Sequence, residues 1–322
     1  MRREPSPARL AVVRPGWLTT VQDLGRFGFQ RFGMPPAGAM DPFALRCANR
    51  LVGNPDQAAA LEITVQGPEI RFEEEAVIAF TGADLTPTMN GALLPAWTTV
   101  MAGKGSRLTF GARRSGARSY LAVAGGFDLP IVLGSRSTHL RSHTGGFAGR
   151  ALVKGDTLHG GKPNPGVWRL VGRSLPDAAR PGYSPTPILR TVPGPQADWF
   201  TPDTVNNFLG GRYRVSSQSD RMGYRLLGPE LDRAGREDMV SEAVPLGALQ
   251  VPADRQPILL SADRQTTGGY PKIAVVISAD IPLAAQLLPG DSVRFALIEV
   301  PEAQALFRAQ RAALDAALPP IG

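Results

Sequence analysis

Two stretches hold most of the residues whose types and spacing suit chemistry. In ILLSADRQTTGGYPKIAVV (258–276), Asp263, Arg264, Gln265, Thr266, Thr267, Tyr270 and Lys272 crowd around Gly268-Gly269 between two apolar runs. Glycine lets backbone approach a ligand closely, and amides and hydroxyls make directional hydrogen bonds. The stretch therefore reads as a binding loop in preference to a plain polar hairpin. Gln265, Thr266, Thr267, Gly268 and Tyr270 are its substrate-contacting candidates. Upstream, SQSDRMGYRLLG (217–228) offers Gln218, Asp220, Arg221 and Tyr224. Lys272 and Arg221 are the cations suited to stabilising developing negative charge.

Three further carboxylates stand out. In FGMPPAGAMDPFA (32–44), Pro-Pro, Gly38 and Asp41 precede a helix start. Structurally this is a turn plus cap; functionally, free N–H groups at a helix N-terminus can hold an anion. Glu62, in LEITVQGPEI, sits on an apolar strand, where a carboxylate needs a partner or a raised pKa. Asp84, in FTGAD, ends a buried strand at a glycine turn. Asp41, Glu62, Asp84, Asp220 and Asp263 are thus the candidates for orienting ammonium-like or amide N–H groups, or for holding a metal that arrives with a bound nucleotide.

Other features read more plainly. RSTHLRSHTGGFAGR (136–150) is either a loop that closes over an anionic or amide substrate or an ordinary surface loop. Its His139 and His143 lack a nearby third ligand, so no metal site is expected. Cys47 lies on the apolar face of a helix and reads as core. No GxxxxGKS/T loop, Rossmann fingerprint or HExxH occurs.

The elements that must position these residues are short. Gly and Pro make up 66 of 322 residues, which excludes long helical bundles. Strands are expected at 76–81, 120–124, 258–261, 273–278 and 292–300, bounded by turn residues. Helices are expected from Asp41-Pro42 to Gly53, from Thr201-Pro202 to Gly210, from Asp280 to Leu288 and from Pro301 to Leu318. The stretch 160–187, with six prolines, reads as a linker near the middle.

The halves resemble each other. SYLAVAGGFDLP (119–130) is followed by ALVKGDTLH (151–159), and KIAVVISADIPL (272–283) by QLLPGDSVRF (286–295). VQDLGRFGFQRFG (21–33) echoes SQSDRMGYRLLG more faintly. A duplicated β-rich domain follows. The formal charge is +7, with 31 Arg against four Lys, but the arginines are scattered and no nucleic-acid motif appears. The single cysteine precludes an internal disulfide. The charged, proline-bearing N-terminus does not read as a secretory signal, and no run approaches 18 apolar residues, so a cytoplasmic protein with no membrane span is expected.

VVRPGWLTTVQDLGRFGFQRFGMPPAGAMD, LEITVQGPEI, FTGAD, YLAVAGGFD, SDRMGYRLLG, ALQVPADRQPILLSADRQTTGGYPKIAVVISAD and LLPGDSVRF occur in fixed order over residues 12–297. In these motifs the sequence resembles the allophanate hydrolase subunit 2 group, also called the biotin-dependent carboxyltransferase family. The resemblance implies a mainly β protein with two cyclophilin-like β-barrel domains and a few short helices. On this sequence these map to 8–165 and 186–300, with a C-terminal helix at 301–322. It also implies partner chains. Stand-alone bacterial members resemble the C subunit of an ATP-dependent 5-oxoprolinase, which works with a KipI-like B subunit and an A subunit. There ATP, with Mg and a site shared with the partner, activates the lactam of 5-oxoproline, and water opens the ring to glutamate. Other members resemble the KipA regulator, which sequesters a kinase inhibitor, or the carboxyltransferase half of urea carboxylase. No AMKM-type biotinylation motif surrounds Lys104, Lys154, Lys162 or Lys272, so no covalently attached biotin is expected.

Overall fold

The computed structural model describes residues 6–234 and 239–319. The chain is mainly β, as its short apolar runs predict, and divides into two compact units. The first comprises residues 1–26, 37–181 and 313–322; the second comprises 27–36 and 182–312.

The first unit is built from two antiparallel sheets. One has six strands in the order Thr157–His159, Arg9–Arg14, Glu69–Phe72, Arg107–Phe110, Pro87–Met89, Ala92–Leu93. The other has five, in the order Leu18–Gln22, Ala60–Thr64, Ser115–Val123, Ala76–Asp84, Thr99–Ala102. Leu10, Ile70, Phe72 and Leu108 of the first sheet meet Leu61, Ile63, Phe80, Leu121 and Val123 of the second in one buried core. Because side chains alternate along a strand, Glu62, Tyr120 and Thr81 point to the opposite face. They lie in register, Glu62 beside Tyr120 and Tyr120 beside Thr81.

That outer face carries the Pro42–Leu51 helix. Asp41 caps it by accepting from the Ala44 N–H at 2.8 Å, and Pro42 takes a first-turn position where its missing N–H costs nothing. Thr81 donates to the Ala44 carbonyl (2.6 Å) and Thr99 to that of Leu51 (2.8 Å), fixing the helix on the sheet. Cys47, on this helix, is fully buried, and burial pushes its thiol well above the usual range.

The second unit contains a closed seven-stranded barrel. Its order is Ile188–Pro193, Lys272–Val276, Ala248–Gln250, Ile258–Leu260, Gly223–Leu227, Tyr213–Val215, Ser292–Leu297, closed by parallel pairing of the last strand with the first. Phe208, from the Pro202–Gly210 helix, stacks on Phe295 at 4.8 Å and tilts against Tyr213 at 6.1 Å. The two apolar runs flanking the TTGGYP turn are not hairpin partners, because Ala248–Gln250 lies between them and pairs with both. The turn's own Thr267–Gly268 pairs instead with Glu242–Ala243.

The duplication read from the sequence has a structural counterpart in matching turns. Asp156 accepts from the Val153 N–H at 2.8 Å, and Asp291 from the Leu288 N–H at 2.8 Å. The glycines before them, Gly155 and Gly290, have φ of 92° and 95°, the left-handed region where a side chain is strained. Each donates its N–H at 2.9 Å to a valine carbonyl, Val12 in the first unit and Val215 in the second.

Candidate functional site

Some of the sequence candidates gather in one cluster in each unit, and the others lie apart. In the first, the Glu62 carboxylate is buried and its Oε2 accepts from the Tyr120 hydroxyl (2.7 Å) and the Met40 N–H (2.9 Å). The Asp41 N–H donates to the Tyr120 oxygen at 2.8 Å. Burial first, and then the charges of Glu62 and Asp41, push the Tyr120 phenol well above its ordinary value, so it stays protonated. Gly38, at φ 90°, lets this loop lie against Leu24 and Gly25, where a Cβ would stand 2.9 Å from backbone atoms. The helix start therefore meets a built-in anion, Glu62, with the Met40, Asp41 and Ala44 amides already bonded within the chain.

Asp84 is not part of this cluster. It lies three residues along its strand from Thr81, a ladder partner of Tyr120, beyond a register shift, which at the rise of a strand is roughly 10 Å. Its Oδ1 accepts from the Thr86 N–H (2.9 Å), closing a turn, and Arg114 stands 3.8 Å away. Near the cluster's loop, Asp23 gathers four donors that sequence reasoning did not assign. These are the Gly25 N–H (2.8 Å), the Ser135 hydroxyl (2.6 Å), the Arg136 N–H (2.5 Å) and the Ser137 hydroxyl. The 136–150 segment is thereby tied down at its start, and His139 spends its Nδ1 on the Ser142 hydroxyl at 2.7 Å.

In the second unit, Lys272 has no solvent exposure, and its Nζ lies 2.6 Å from Oε1 of the half-exposed Glu242. Gln196 bridges the pair, donating Nε2 to the same Glu242 oxygen (2.9 Å) while its Oε1 accepts the Lys272 N–H (3.2 Å). The Lys272 ammonium beside it, and then the hydrogen bond from Gln196, hold the Glu242 carboxyl below its ordinary range. Gln250, the ladder partner of Lys272, donates to the Tyr270 carbonyl and accepts from Gln265, both at 3.5 Å. Gly268 sits over these amides. The structure thus brings together Gln265, Gly268, Tyr270 and Lys272 of the sequence candidates. Thr266 contributes its carbonyl to the Val244 N–H (3.1 Å), and Thr267 is exposed on the two-residue ladder.

Arg221 and Asp263 form a buried fork, Nε to Oδ2 at 2.9 Å and NH2 to Oδ1 at 3.0 Å, strengthened by the Asp263 N–H on the Arg221 carbonyl. Asp220 is exposed and spends its Oδ1 on the Met222 (2.8 Å) and Gly223 (3.3 Å) N–H groups at the start of a strand. Arg264 is buried and donates to carbonyls, those of Val244 (3.0 Å) and Ser261 (3.3 Å). Burial alone lowers its pKa to about 10, so at neutral pH it remains a cation.

Tyr120, Glu242, Gln196 and Gln250 were missed in the sequence. Only the first two had a signal, as the partners that a buried Glu62 and a buried Lys272 each required. Among the described residues no three His, Cys, Asp or Glu side chains gather to hold a metal ion, and no helix is long and apolar enough to cross a membrane.

The matching registers extend to the clusters. Tyr120 stands eight residues before Asp128, and Lys272 eight before Asp280. Tyr120 pairs with Glu62 and Thr81, and Lys272 with Gln250. A closed tyrosine–carboxylate pair thus stands in the first unit and a lysine–amide pair in the second.

Comparison with known proteins agrees with this architecture. The family model "Carboxyltransferase domain, subdomain A and B" matches residues 32–297. The chain is 41% identical to the C subunit of the Escherichia coli 5-oxoprolinase, over 91% of this chain and 93% of that one. It is 37% identical to the protein of the same name from Haemophilus influenzae, over 92% and 93%. The crystal structure of the Kluyveromyces lactis urea amidolyase superposes with a TM-score of 0.90 at 32% identity, over 98% of this chain but 20% of that much longer one. On the strength of these matches and of its two-unit β architecture, the chain belongs to the carboxyltransferase domain family, subdomains A and B.

Proposed function

We propose that this chain is the C subunit of an ATP-dependent 5-oxoprolinase, working with a KipI-like B subunit and an A subunit to open 5-oxoproline to glutamate. The observation that carries this reading is reciprocal coverage. The chain spans 93% of the E. coli C subunit, yet only 18% of the urea amidolyase of Lachancea kluyveri, at 34% identity. The second unit's chemistry supports it. A cyclic amide with a carboxylate needs a cation for the carboxylate and amide donors or acceptors for the ring. Lys272, Gln250 and Gln265 supply those types beside Gly268, where backbone lies close.

For Mg–ATP, the loop that a helix-start cradle would use is already occupied among the described residues. The glycine-bearing loop that leads into the Pro42–Leu51 helix has its Met40, Asp41 and Ala44 amides bonded internally. The described residues gather no metal-binding group. We assign the nucleotide to a site shared with the partner chains.

The test is reconstitution of this chain with its B and A partners, following glutamate release from 5-oxoproline in the presence of ATP. Turnover is expected only with all chains present, and Lys272→Gln should remove it while the fold is kept. Absence of turnover with well-folded partners would discard the reading. A second reading, as a carboxyltransferase component served by biotin on a separate carrier, is favoured by the 0.90 TM-score to the urea amidolyase. Carboxyl transfer from carboxybiotin, with no 5-oxoproline hydrolysis, would establish it instead.

A further inference from the structure

The second unit holds an excess of hydrogen-bond donors around one point. An ammonium has three N–H donors. Among the described residues, the fully buried Lys272 Nζ makes a single charged contact, with Glu242 Oε1, and no hydrogen bond of good geometry. The nearby Gln250 and Gln265 amide nitrogens are engaged only at 3.5 Å, the long limit of such bonds. Both crowd Gly268. A Cβ there would stand 2.5 Å from Gln265 Nε2 and 2.7 Å from Gln250 Nε2. The anion that the described residues place here, Glu242, comes from a two-residue strand held by the Thr267–Gly268 ladder. Its side chain is 42% exposed although its partner is wholly buried. Arg264 adds a second buried cation on the same segment through the Val244 carbonyl.

The geometry points to a carboxylate-binding subsite at Lys272, in which the Glu242 carboxylate holds the place of a ligand carboxylate and is displaced when the ligand enters. The donor set favours a small molecule that bears a carboxylate next to an amide: the ammonium of Lys272 takes the charge, and the Gln250 and Gln265 side chains meet the amide. Gln196 is a positioning residue, because it holds the Glu242 oxygen and the Lys272 backbone at once. The first unit's cluster offers no such donors, since the Tyr120 hydroxyl is already engaged by the Asp41 N–H and Glu62. The subsite rests on the 5-oxoprolinase reading for its choice of probe.

Isothermal titration of the full chain tests it, with 5-oxoproline as probe and 2-pyrrolidinone as the same ring lacking the carboxylate. A competing internal carboxylate lowers apparent affinity by the fraction of open molecules, so Glu242→Gln and Glu242→Ala should each tighten 5-oxoproline binding by about fivefold or more. 2-Pyrrolidinone should bind none of the forms. Adding Lys272→Met to Glu242→Ala removes both charges together and should abolish binding with the circular dichroism spectrum kept. If that double variant does not fold, Lys272→Gln on the same background serves in its place. Equal affinity of the wild type and both Glu242 variants, binding of 2-pyrrolidinone as tight as that of 5-oxoproline, or no detectable binding to Glu242→Ala would each overturn the subsite. Turnover by the reconstituted complex separates the two ideas. Turnover without these affinity changes removes the subsite and keeps the function, whereas the affinity changes without turnover keep the subsite and remove the function.

Discussion

At the scale of single residues, the chain treats its buried polar groups in two ways. Tyr120 joins Glu62 and the Asp41 N–H, so its hydroxyl is donor and acceptor at once. Tyr120→Phe keeps the ring but strands a buried N–H and removes a donor from a carboxylate, which should cost about 2–4 kcal/mol. Urea unfolding followed by circular dichroism checks this, and a loss below about 1 kcal/mol would mean that the groups find other partners. Asp263 offers the contrast of a charge pair. Asp263→Ala removes the buried fork on Arg221 and is expected to destabilise the fold, so lost turnover in that variant reports on folding before it reports on chemistry. Cys47 is buried and its thiol is pushed up, so a thiol reagent at neutral pH should label it only after unfolding. Labelling of the native chain at the unfolded rate would contradict the core assignment.

At the scale of elements, what was legible in the sequence was whatever local chemistry decides. Asp41-Pro42 and Thr201-Pro202 each open a helix as expected, because cap and proline act within one turn. The strand at 292 stops at Leu297, and Val300 already begins the last helix, since boundaries depend on the neighbouring ladder more than on composition. Strand order was not legible. Nothing near residues 258–276 signals that Ala248–Gln250 inserts between the two flanking strands. For the same reason Lys272 could be singled out while its partners could not: Gln196 lies 76 residues away along the chain. Glu62 announced that it needed a partner, but Tyr120 is 58 residues distant. The repeated turns carry an element-scale prediction. Asp156 and Asp291 close equivalent turns, but Asp156 also accepts both Arg150 guanidinium nitrogens, at 2.7 and 2.8 Å. Asp291→Ala should cost about 1 kcal/mol for its one turn bond, and Asp156→Ala about 2–3 kcal/mol because a charge-assisted pair goes with it. Equal losses in paired denaturation curves would show that the Arg150 contact contributes nothing.

At the scale of the whole molecule, the Arg-rich composition bears on stability through pH. The chain is +7 at neutrality, and each carboxylate that takes up a proton raises that charge and its self-repulsion. Among the described residues, Asp156 and Glu242 are held low in the folded state, Asp156 mainly by the Arg150 hydrogen bond and Glu242 mainly by the Lys272 ammonium. A group whose folded pKa lies below its unfolded one binds fewer protons when folded. Its contribution is therefore complete above the unfolded carboxylate range and is lost as pH falls through the folded value. Arg264 works at the other end: its lowered pKa, about 10, imposes a penalty that stays constant throughout the acid range. Wild-type stability should thus fall as pH drops below about 4, the ordinary carboxylate range. An Asp156→Ala, Glu242→Gln double variant should start lower at neutral pH and converge on the wild type in acid. Chemical denaturation at fixed ionic strength measures both curves, and because general repulsion pulls both down, their difference isolates the two pairs. Curves that stay parallel from pH 7 to the acid limit would mean that neither carboxylate titrates differently in the folded and unfolded chains. The assignment of Glu242 as a true charge partner of Lys272, on which its displacement by a ligand depends, would fall with them.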